Sequence, residues 1–265
     1  MGGLSTAQAA DYKTAAHHRI RVASLDPATS QLEPALAGRA REPFGFGTTE
    51  VFSGGIVNKW NAVNKALLKE QSVLIRCRED YKTCRPAARH FLAVVDEAMT
   101  RRGRTRIAEI NRSINLNIRP VDDMTQYGVR DLWATPLMTF KSGAGDCEDY
   151  AIAKYVALLE IGIATEDIRL VVVHDRATHG DHAVTAVRYN GDWLILDNRT
   201  LDIREDVEIR RFNPLFVLDS QGVKRIIASR SKPRPRLQKT RKVAARSQTI
   251  GEPPIFAGPI MPFLL

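Results

Sequence analysis

The order of the hydrophobic patterns along this 265-residue sequence predicts an α+β fold, in which helices come first and an antiparallel β-sheet follows. In the first half, apolar residues recur every three or four positions between Val57 and Leu74, as on one face of a helix. In the second half, three runs rich in β-branched and aromatic residues predict strands over 168–173, 182–189 and 193–196. The last two runs are joined by Asn190-Gly191, a dipeptide typical of a two-residue turn between antiparallel strands.

Two further helices are predicted before the strands. One follows Cys84 and opens with Pro86, because proline is tolerated in the first turn of a helix. The next follows Gly103, carries isoleucines on one stripe and ends before Pro120. These helices supply core packing and carry no residue pattern that indicates chemistry.

A fourth helix is predicted between Gly145 and Gly162, with Asp146 as its N-cap and with one apolar face. The connection that precedes it, residues 119–136, is long and polar and contains two aromatic residues. Such a segment is typical of a loop that lines a cleft.

Composition favours one folded domain with extensions, since the chain is 44% hydrophobic. We expect a flexible arm over residues 1–45, a folded domain over 46–228 and a basic, proline-containing tail over 229–265. Eight of the basic residues behind the net charge of +9 lie between Arg230 and Arg246 with no acidic residue among them. This pattern predicts a solvated tail and no nucleic-acid partner, with binding of the tail to an acidic lipid, polysaccharide or nucleic acid as the alternative.

The sequence does not predict a membrane-spanning segment. No run is apolar for the roughly 18 to 20 residues that cross a bilayer, and the first 25 residues as given lack the apolar stretch of a secretory signal.

The three cysteines divide into a pair and a single residue. Cys77 and Cys84 have a spacing that fits neither a zinc finger nor a zinc ribbon, which leaves a local disulfide or two free thiols. We favour the disulfide, which requires an oxidising compartment. Cys147 is then the unpaired cysteine.

Cys147 is predicted in the first turn of the fourth helix. Free backbone N–H groups and the helix dipole stabilise an anion there and lower the pKa of a thiol. The alternative is a small buried apolar residue. The glycines before Cys147 and the charged residues beside it favour an exposed nucleophile at a helix tip.

The hairpin register predicts a base for this nucleophile. A two-residue turn pairs Tyr189 with Asp192 and continues outward, so that His182 and Asp197 become diagonal neighbours whose side chains can meet. A general base needs such a carboxylate to fix its tautomer and direction. His174 and His179 rank lower, because no register gives either of them a carboxylate partner.

Three motifs then appear in a familiar order: GDCEDYA with Cys147, DHAV with His182 and LDN with Asp197. With INRSINLNIR and YGVRDLWATP ahead of them, they make residues 50–225 resemble the bacterial transglutaminase-like cysteine proteinases, the group that includes LapG-type periplasmic proteases. The resemblance implies a transglutaminase-like, papain-related fold and a catalytic triad of Cys147, His182 and Asp197. Resemblance and register therefore agree on the same three residues.

The resemblance also implies calcium, bound by acidic residues that flank the nucleophile: Asp146, Glu148 and Asp149. Three carboxylates raise the pKa of a neighbouring thiol unless a cation neutralises them. Calcium prefers several carboxylate and carbonyl oxygens, which suits this cluster better than zinc does. The alternative is a set of ordinary first-turn acidic residues stabilised by the helix dipole.

The function that the resemblance implies is that of a periplasmic cysteine endopeptidase, working through a thioester acyl-enzyme. Its substrates would be exported or surface proteins such as the adhesins that govern biofilm attachment, and its partner a membrane-bound regulatory receptor. Two other functions stay open on the residues alone: a protein-glutamine acyltransferase with the same triad, and a catalytically idle binding module.

Overall fold

The computed structural model describes residues 42–230, so most of the expected arm and tail, residues 1–41 and 231–265, lies outside the described residues. The helices of this region are α1 (Gly55–Glu79), α2 (Pro86–Met99), α3 (Gly103–Asn117), α4 (Asp123–Tyr127), α5 (Pro136–Ser142) and α6 (Cys147–Glu160). The strands are β1 (Phe46–Val51), β2 (Arg119–Pro120), β3 (Ala144–Gly145), β4 (Ile168–Asp175), β5 (Gly180–Tyr189), β6 (Asp192–Leu196), β7 (Arg204–Glu205), β8 (Phe212–Asp219) and β9 (Gly222–Arg230).

Seven strands form one sheet in the order β1-β9-β8-β4-β5-β6-β7, and each neighbouring pair is antiparallel. The predicted α+β class, with helices ahead of an antiparallel sheet, is confirmed. Strand β1 departs from that order, because it precedes the helices and pairs with β9 from the other end of the domain.

The predicted helices are present, and α1 runs past its apolar pattern as far as Glu79. Its last turn carries Cys77, which is bonded to Cys84 just before α2, with 4.5 Å between the two Cα atoms. Of the two alternatives left by the sequence, the disulfide is the one present. No helix of residues 42–230 is long and apolar enough to cross a bilayer.

The connection over residues 119–136 is more ordered than the loop expected from its composition. It starts with β2, which pairs in parallel with β3, and it contains the short helix α4. The backbone N–H of Arg119 donates to the carbonyl of Gly143, and that of Val121 donates to Gly145, both at 3.0 Å. This pairing fixes the connection beside the first turn of α6.

Helix α6 is the central helix of the domain, since nine of its 14 residues are buried. Thr185 on β5 donates a hydrogen bond from its hydroxyl to the carbonyl of Ala151 at 2.7 Å, which joins α6 to one face of the sheet. On a separate part of the same core, the indole of Trp60 on α1 donates to the carbonyl of Asp219 at 2.8 Å. A second, smaller apolar cluster around Val184 and Phe212 buries part of β5 as well, so β5 is buried almost continuously instead of at alternate residues.

Candidate active site

Cys147 is the first residue of α6, and its side chain is half-buried. Its Sγ donates a hydrogen bond to Glu148 Oε2 at 3.2 Å. A Cβ added at Gly145 would lie 2.6 Å from Asp149 Oδ2, so only glycine lets the chain pass this close to the helix. Asp146 occupies the predicted N-cap position, but its side chain makes no capping hydrogen bond.

The register predicted for the β5-β6 hairpin is confirmed, since Tyr189 pairs with Asp192 and Thr185 pairs with Leu196. Strand β6 ends at Leu196, and Asp197 is the next residue. His182 Nε2 and Asp197 Oδ1 are 2.8 Å apart, and the two residues are 1% and 3% exposed. The hairpin therefore brings a buried imidazole and a buried carboxylate into direct contact.

The second nitrogen of the His182 ring, Nδ1, is buried and has no hydrogen-bond partner within residues 42–230. The ring packs against Phe212, with 5.8 Å between the ring centroids. When Nε2 carries the proton that it donates to Asp197, Nδ1 is the acceptor of the neutral ring. His182 and Cys147 line the same cavity, which has a volume of about 310 Å³.

One wall of this cavity is formed by the connection before α5, through Asp131 and Trp133, and another by the first turns of α1. The expectation that the connection lines a cleft is confirmed. Lys59 on α1 forms an ion pair with Asp131, and its Nζ lies 5.9 Å from the centroid of the Trp133 ring. The side chains of this pair are 35% and 46% exposed, so the contact between the two walls is open to solvent.

Asp197 keeps its charge in a buried position because several groups favour the carboxylate. Burial raises the pKa of Asp197, but the hydrogen bond and charge of His182, the backbone N–H of Arg199 and the charge of Lys154 together hold that pKa below its ordinary value. The Arg199 N–H donates to Asp197 Oδ1 at 3.0 Å.

Lys154 lies on α6, about two turns after Cys147, and is fully buried. Its Nζ has no hydrogen-bond partner in the described part of the chain and lies 5.7 Å from the centroid of the Tyr150 ring. Burial lowers the pKa of Lys154 to about 7, against the opposing charge of Asp197. Sequence reasoning did not single out this lysine, because a helical pattern does not distinguish a lysine that points inward.

A second group of carboxylates, here called the acidic pocket, consists of Asp123, Asp146 and Glu148. One carboxylate oxygen of each lies within 4.8 Å of the others. The sequence predicted Asp146 and Glu148 but missed Asp123, which is buried on α4 in the segment expected to be a loop. Asp149, the third residue predicted, lies outside this group, and its Oδ1 accepts a hydrogen bond from the backbone N–H of Ala134 at 2.7 Å.

Three carboxylate oxygens in and beside the acidic pocket are buried without a hydrogen-bond partner among the described residues: Asp123 Oδ1, Asp146 Oδ1 and Asp149 Oδ2. Burial, followed by the charge of Glu148, raises the pKa of Asp146 well above its ordinary value. Burial also raises the pKa of Asp149 to about 7. Buried oxygens without donors are the ligands that a hard cation such as calcium takes, so this donor set fits the metal that the resemblance implies.

The same carboxylates act on the nucleophile. Burial raises the pKa of the Cys147 thiol far above its ordinary value, the charge of Glu148 raises it further, and a backbone hydrogen bond with Ala183 opposes them. Without a cation in the acidic pocket, the structure therefore favours the protonated thiol.

The lower-ranked histidines lie elsewhere. His174 on β4 has a carboxylate partner that the sequence did not predict, because the β4-β5 register pairs it with Asp181, and its Nδ1 lies 3.0 Å from Asp181 Oδ1. His174 is half-buried and Asp181 is exposed, and the pair lies at the sheet end. His179 lies in the turn between β4 and β5 with a positive φ of 55°.

The family model described as bacterial transglutaminase-like cysteine proteinase, BTLCP, matches residues 71–209, which is more than half of the chain. Among solved structures, LapG of Legionella pneumophila is similar at 18% identity and a TM-score of 0.48, over 58% of this chain and 86% of LapG. Its calcium-bound form is similar at 19% identity and a TM-score of 0.49, over 61% and 90% of the two chains. Comparison with curated proteins gives no match.

Proposed function

Since the chain belongs to the bacterial transglutaminase-like cysteine proteinases and is a cysteine peptidase of that type, we propose that Cys147, His182 and Asp197 are its catalytic triad. The observation that carries this proposal is the arrangement of the His182 ring. Nε2 is bonded to Asp197, while Nδ1 is unpartnered among the described residues and its ring lines the cavity that Cys147 also lines.

In this proposal His182 Nδ1 takes the proton of the Cys147 thiol, and the thiolate attacks the carbonyl carbon of the scissile peptide bond. Breakdown of the tetrahedral intermediate breaks the C–N bond, and the imidazolium returns the proton to the leaving amine. Water, deprotonated by His182, then releases the acyl group from sulfur and regenerates the thiol. Backbone N–H groups at the start of α6, including that of Cys147, would donate to the oxyanion.

A calcium ion is the cofactor proposed for the acidic pocket. It would be held by Asp123, Asp146 and Glu148, while Asp149 has only its Oδ2 left to contribute. When bound, the ion supplies positive charge that offsets the carboxylates beside the thiol. A calcium-bound form of LapG exists among the structures similar to this chain.

The proposed substrates are exported or surface bacterial proteins of the adhesin type, cleaved in the periplasm under the control of a membrane-bound receptor. The Cys77–Cys84 disulfide supports an oxidising compartment, because such bonds are rare in the cytosol. Family membership supports a protein substrate.

A cleavage assay tests the proposal. Purified protein is incubated with candidate exported adhesins in calcium and in a chelator, beside Cys147→Ala. We expect defined fragments only with the wild-type protein in calcium. Incorporation of a labelled amine without cleavage would replace the peptidase with an acyltransferase, and cleavage by Cys147→Ala would exclude the triad.

A further inference from the structure

The two oxygens of the Asp197 carboxylate have different surroundings. Oδ1 accepts from His182 Nε2 and from the backbone N–H of Arg199, whereas Oδ2 contacts the guanidinium of Arg211, with Nη2 at 3.3 Å. Within residues 42–230, Arg211 is the one hydrogen-bond partner of Oδ2. If that contact were lost, Oδ2 would have no partner among the described residues, and the carboxylate plane would be held through Oδ1 alone.

Arg211 is itself anchored by a buried acid. Asp175, at the end of β4, is fully buried, and its Oδ2 lies 3.5 Å from Arg211 Nε and 2.8 Å from Arg199 Nη1. The guanidinium thus bridges two carboxylates, Asp175 and Asp197. Asp175 Oδ1 also accepts a hydrogen bond from the backbone N–H of Ala177 at 3.0 Å, so the Asp175 carboxylate is held in place at the end of β4.

Arg211 also contacts Phe212, the aromatic residue that packs against the His182 ring. Its guanidinium carbon lies 5.0 Å from the centroid of the Phe212 ring, and Phe212 is the ring that packs against His182. A single side chain therefore contacts both groups that hold the His182 ring, the carboxylate at its edge and the aromatic ring at its side.

Arg211 lies outside residues 71–209, the part of the chain that the family model matches. Resting on the triad proposed above, we infer that Arg211 is a positioning residue, which acts on His182 through Asp197 and Phe212 and is held in place by Asp175. It does not touch the reacting atoms. Its role is to keep Asp197 Oδ1 directed at His182 Nε2 and to keep Asp197 charged.

The other charged groups around Asp197 do not duplicate this role. Lys154 acts on Asp197 from α6 as a buried charge, and the Arg199 guanidinium contacts Asp175 and not Asp197. From α3, Asn115 donates its side-chain amide to the Asp197 backbone carbonyl at 2.9 Å, a bond that fixes the main chain and does not involve the carboxylate. Arg211 is thus the cation whose contact falls on Oδ2.

The experiment compares Arg211→Met, Arg211→Lys and the matched control Arg210→Met, which changes an exposed neighbour that makes only a backbone contact with Arg176. The first readout is the downfield imidazole N–H signal of His182 in proton NMR, which reports its hydrogen bond to Asp197 and needs no substrate. The second is the rate at which iodoacetamide alkylates Cys147 across pH in the presence of calcium, with melting temperature as the check on folding.

In Arg211→Met we expect the His182 signal to broaden or disappear, and the alkylation rate to fall about five- to tenfold. The acid side of the pH profile should move to higher pH, because Asp197 takes up its proton more readily without the cation. Arg211→Lys should recover at least about half of the rate, since it restores the charge. Arg210→Met should match wild type.

An unchanged His182 signal and pH profile in a folded Arg211→Met protein would overturn the inference. So would an equal loss in Arg210→Met, which would indicate a general effect of surface charge. Failure of the proposed function looks different: wild-type Cys147 would then react no faster than in the unfolded chain, while the His182 signal would still depend on Arg211.

Discussion

The acidic pocket and the surroundings of Asp197 both contain buried carboxylates, and they shift the pKa of these groups in opposite directions. The groups beside Asp197 are an imidazole, a backbone N–H, a guanidinium and a buried lysine. The pKa of Asp197 lies below its ordinary value. Asp146 meets other carboxylates and is left with a buried oxygen that has no partner among the described residues, and its pKa lies far above the ordinary value. Cations of the chain lie beside Asp197, whereas the charges that act on Asp146 among the described residues are those of other carboxylates.

The contrast means that the proposed base and the proposed nucleophile depend on different groups. Neighbouring groups of the chain itself keep Asp197 charged, so the contact that orients His182 is part of the fold. Burial and the charge of Glu148 both raise the pKa of the Cys147 thiol, so in our proposal its ionisation depends on a cation in the acidic pocket. Four predictions test this difference.

Asp197→Asn should have the largest effect, because it removes the charge that the surrounding cations stabilise. We expect kcat/KM for a protein substrate to fall by about 10³ to 10⁴, since an amide can fix the imidazole in the wrong tautomer. Steady-state kinetics measures this, with the exposed Asp202→Asn as control. A loss under tenfold would place the orienting group elsewhere.

Asp123→Asn should weaken calcium binding by at least about tenfold, because it removes one of the three oxygens that lie together. Asp149→Asn should weaken it less, since one Asp149 oxygen is already bonded to Ala134. Isothermal titration calorimetry compares the two variants. If Asp149→Asn has the larger effect, the ligand set is the one that sequence alone predicted.

Calcium should stabilise the wild-type fold, because it relieves the mutual repulsion of the pocket carboxylates. At a calcium concentration a hundredfold above Kd, we expect a rise in melting temperature of about 5 to 10 °C over the chelated protein. Alkylation of Cys147 should become faster in the same titration. Magnesium at equal concentration is the control, and an unchanged melting temperature in calcium would rule out the site.

Lys154→Met should raise the melting temperature at pH 7 by a few degrees, because methionine fills the space of a buried amine that has no hydrogen bond in the described structure. The pKa of Lys154 is about 7 in the folded chain and near 10.5 in the unfolded chain. Between these two pH values, Lys154 binds fewer protons in the folded chain than in the unfolded chain. Wild-type stability should therefore rise with pH across that window. The gap between variant and wild type should narrow from pH 7 to pH 10, and a constant gap would contradict the low pKa of Lys154.

Local pattern was enough to predict the parts of the site that depend on short-range geometry. The Asn190-Gly191 turn fixed the register that joins His182 to Asp197, and the glycines before Cys147 marked the start of α6. Both features follow from backbone rules that act over a few residues.

The parts that could not be predicted depend on contacts between distant segments. Asp123 reaches the acidic pocket because β2 pairs with β3, and a two-residue strand leaves no pattern in a sequence. Arg211 contacts Asp197 from 14 positions further along the chain, and the segment between them carries β7. Strand β1 pairs with β9, which lies at the other end of the domain sequence, and no local pattern indicates this pairing.

The Lys59–Asp131 ion pair makes one wall of the cleft sensitive to ionic strength. The pair joins α1 to the segment that carries Trp133, and both of its side chains are open to solvent, so dissolved ions weaken their attraction. The Trp133 wall is therefore a part of the cleft that ionic strength can loosen, while the His182–Asp197 contact is buried and responds much less to salt.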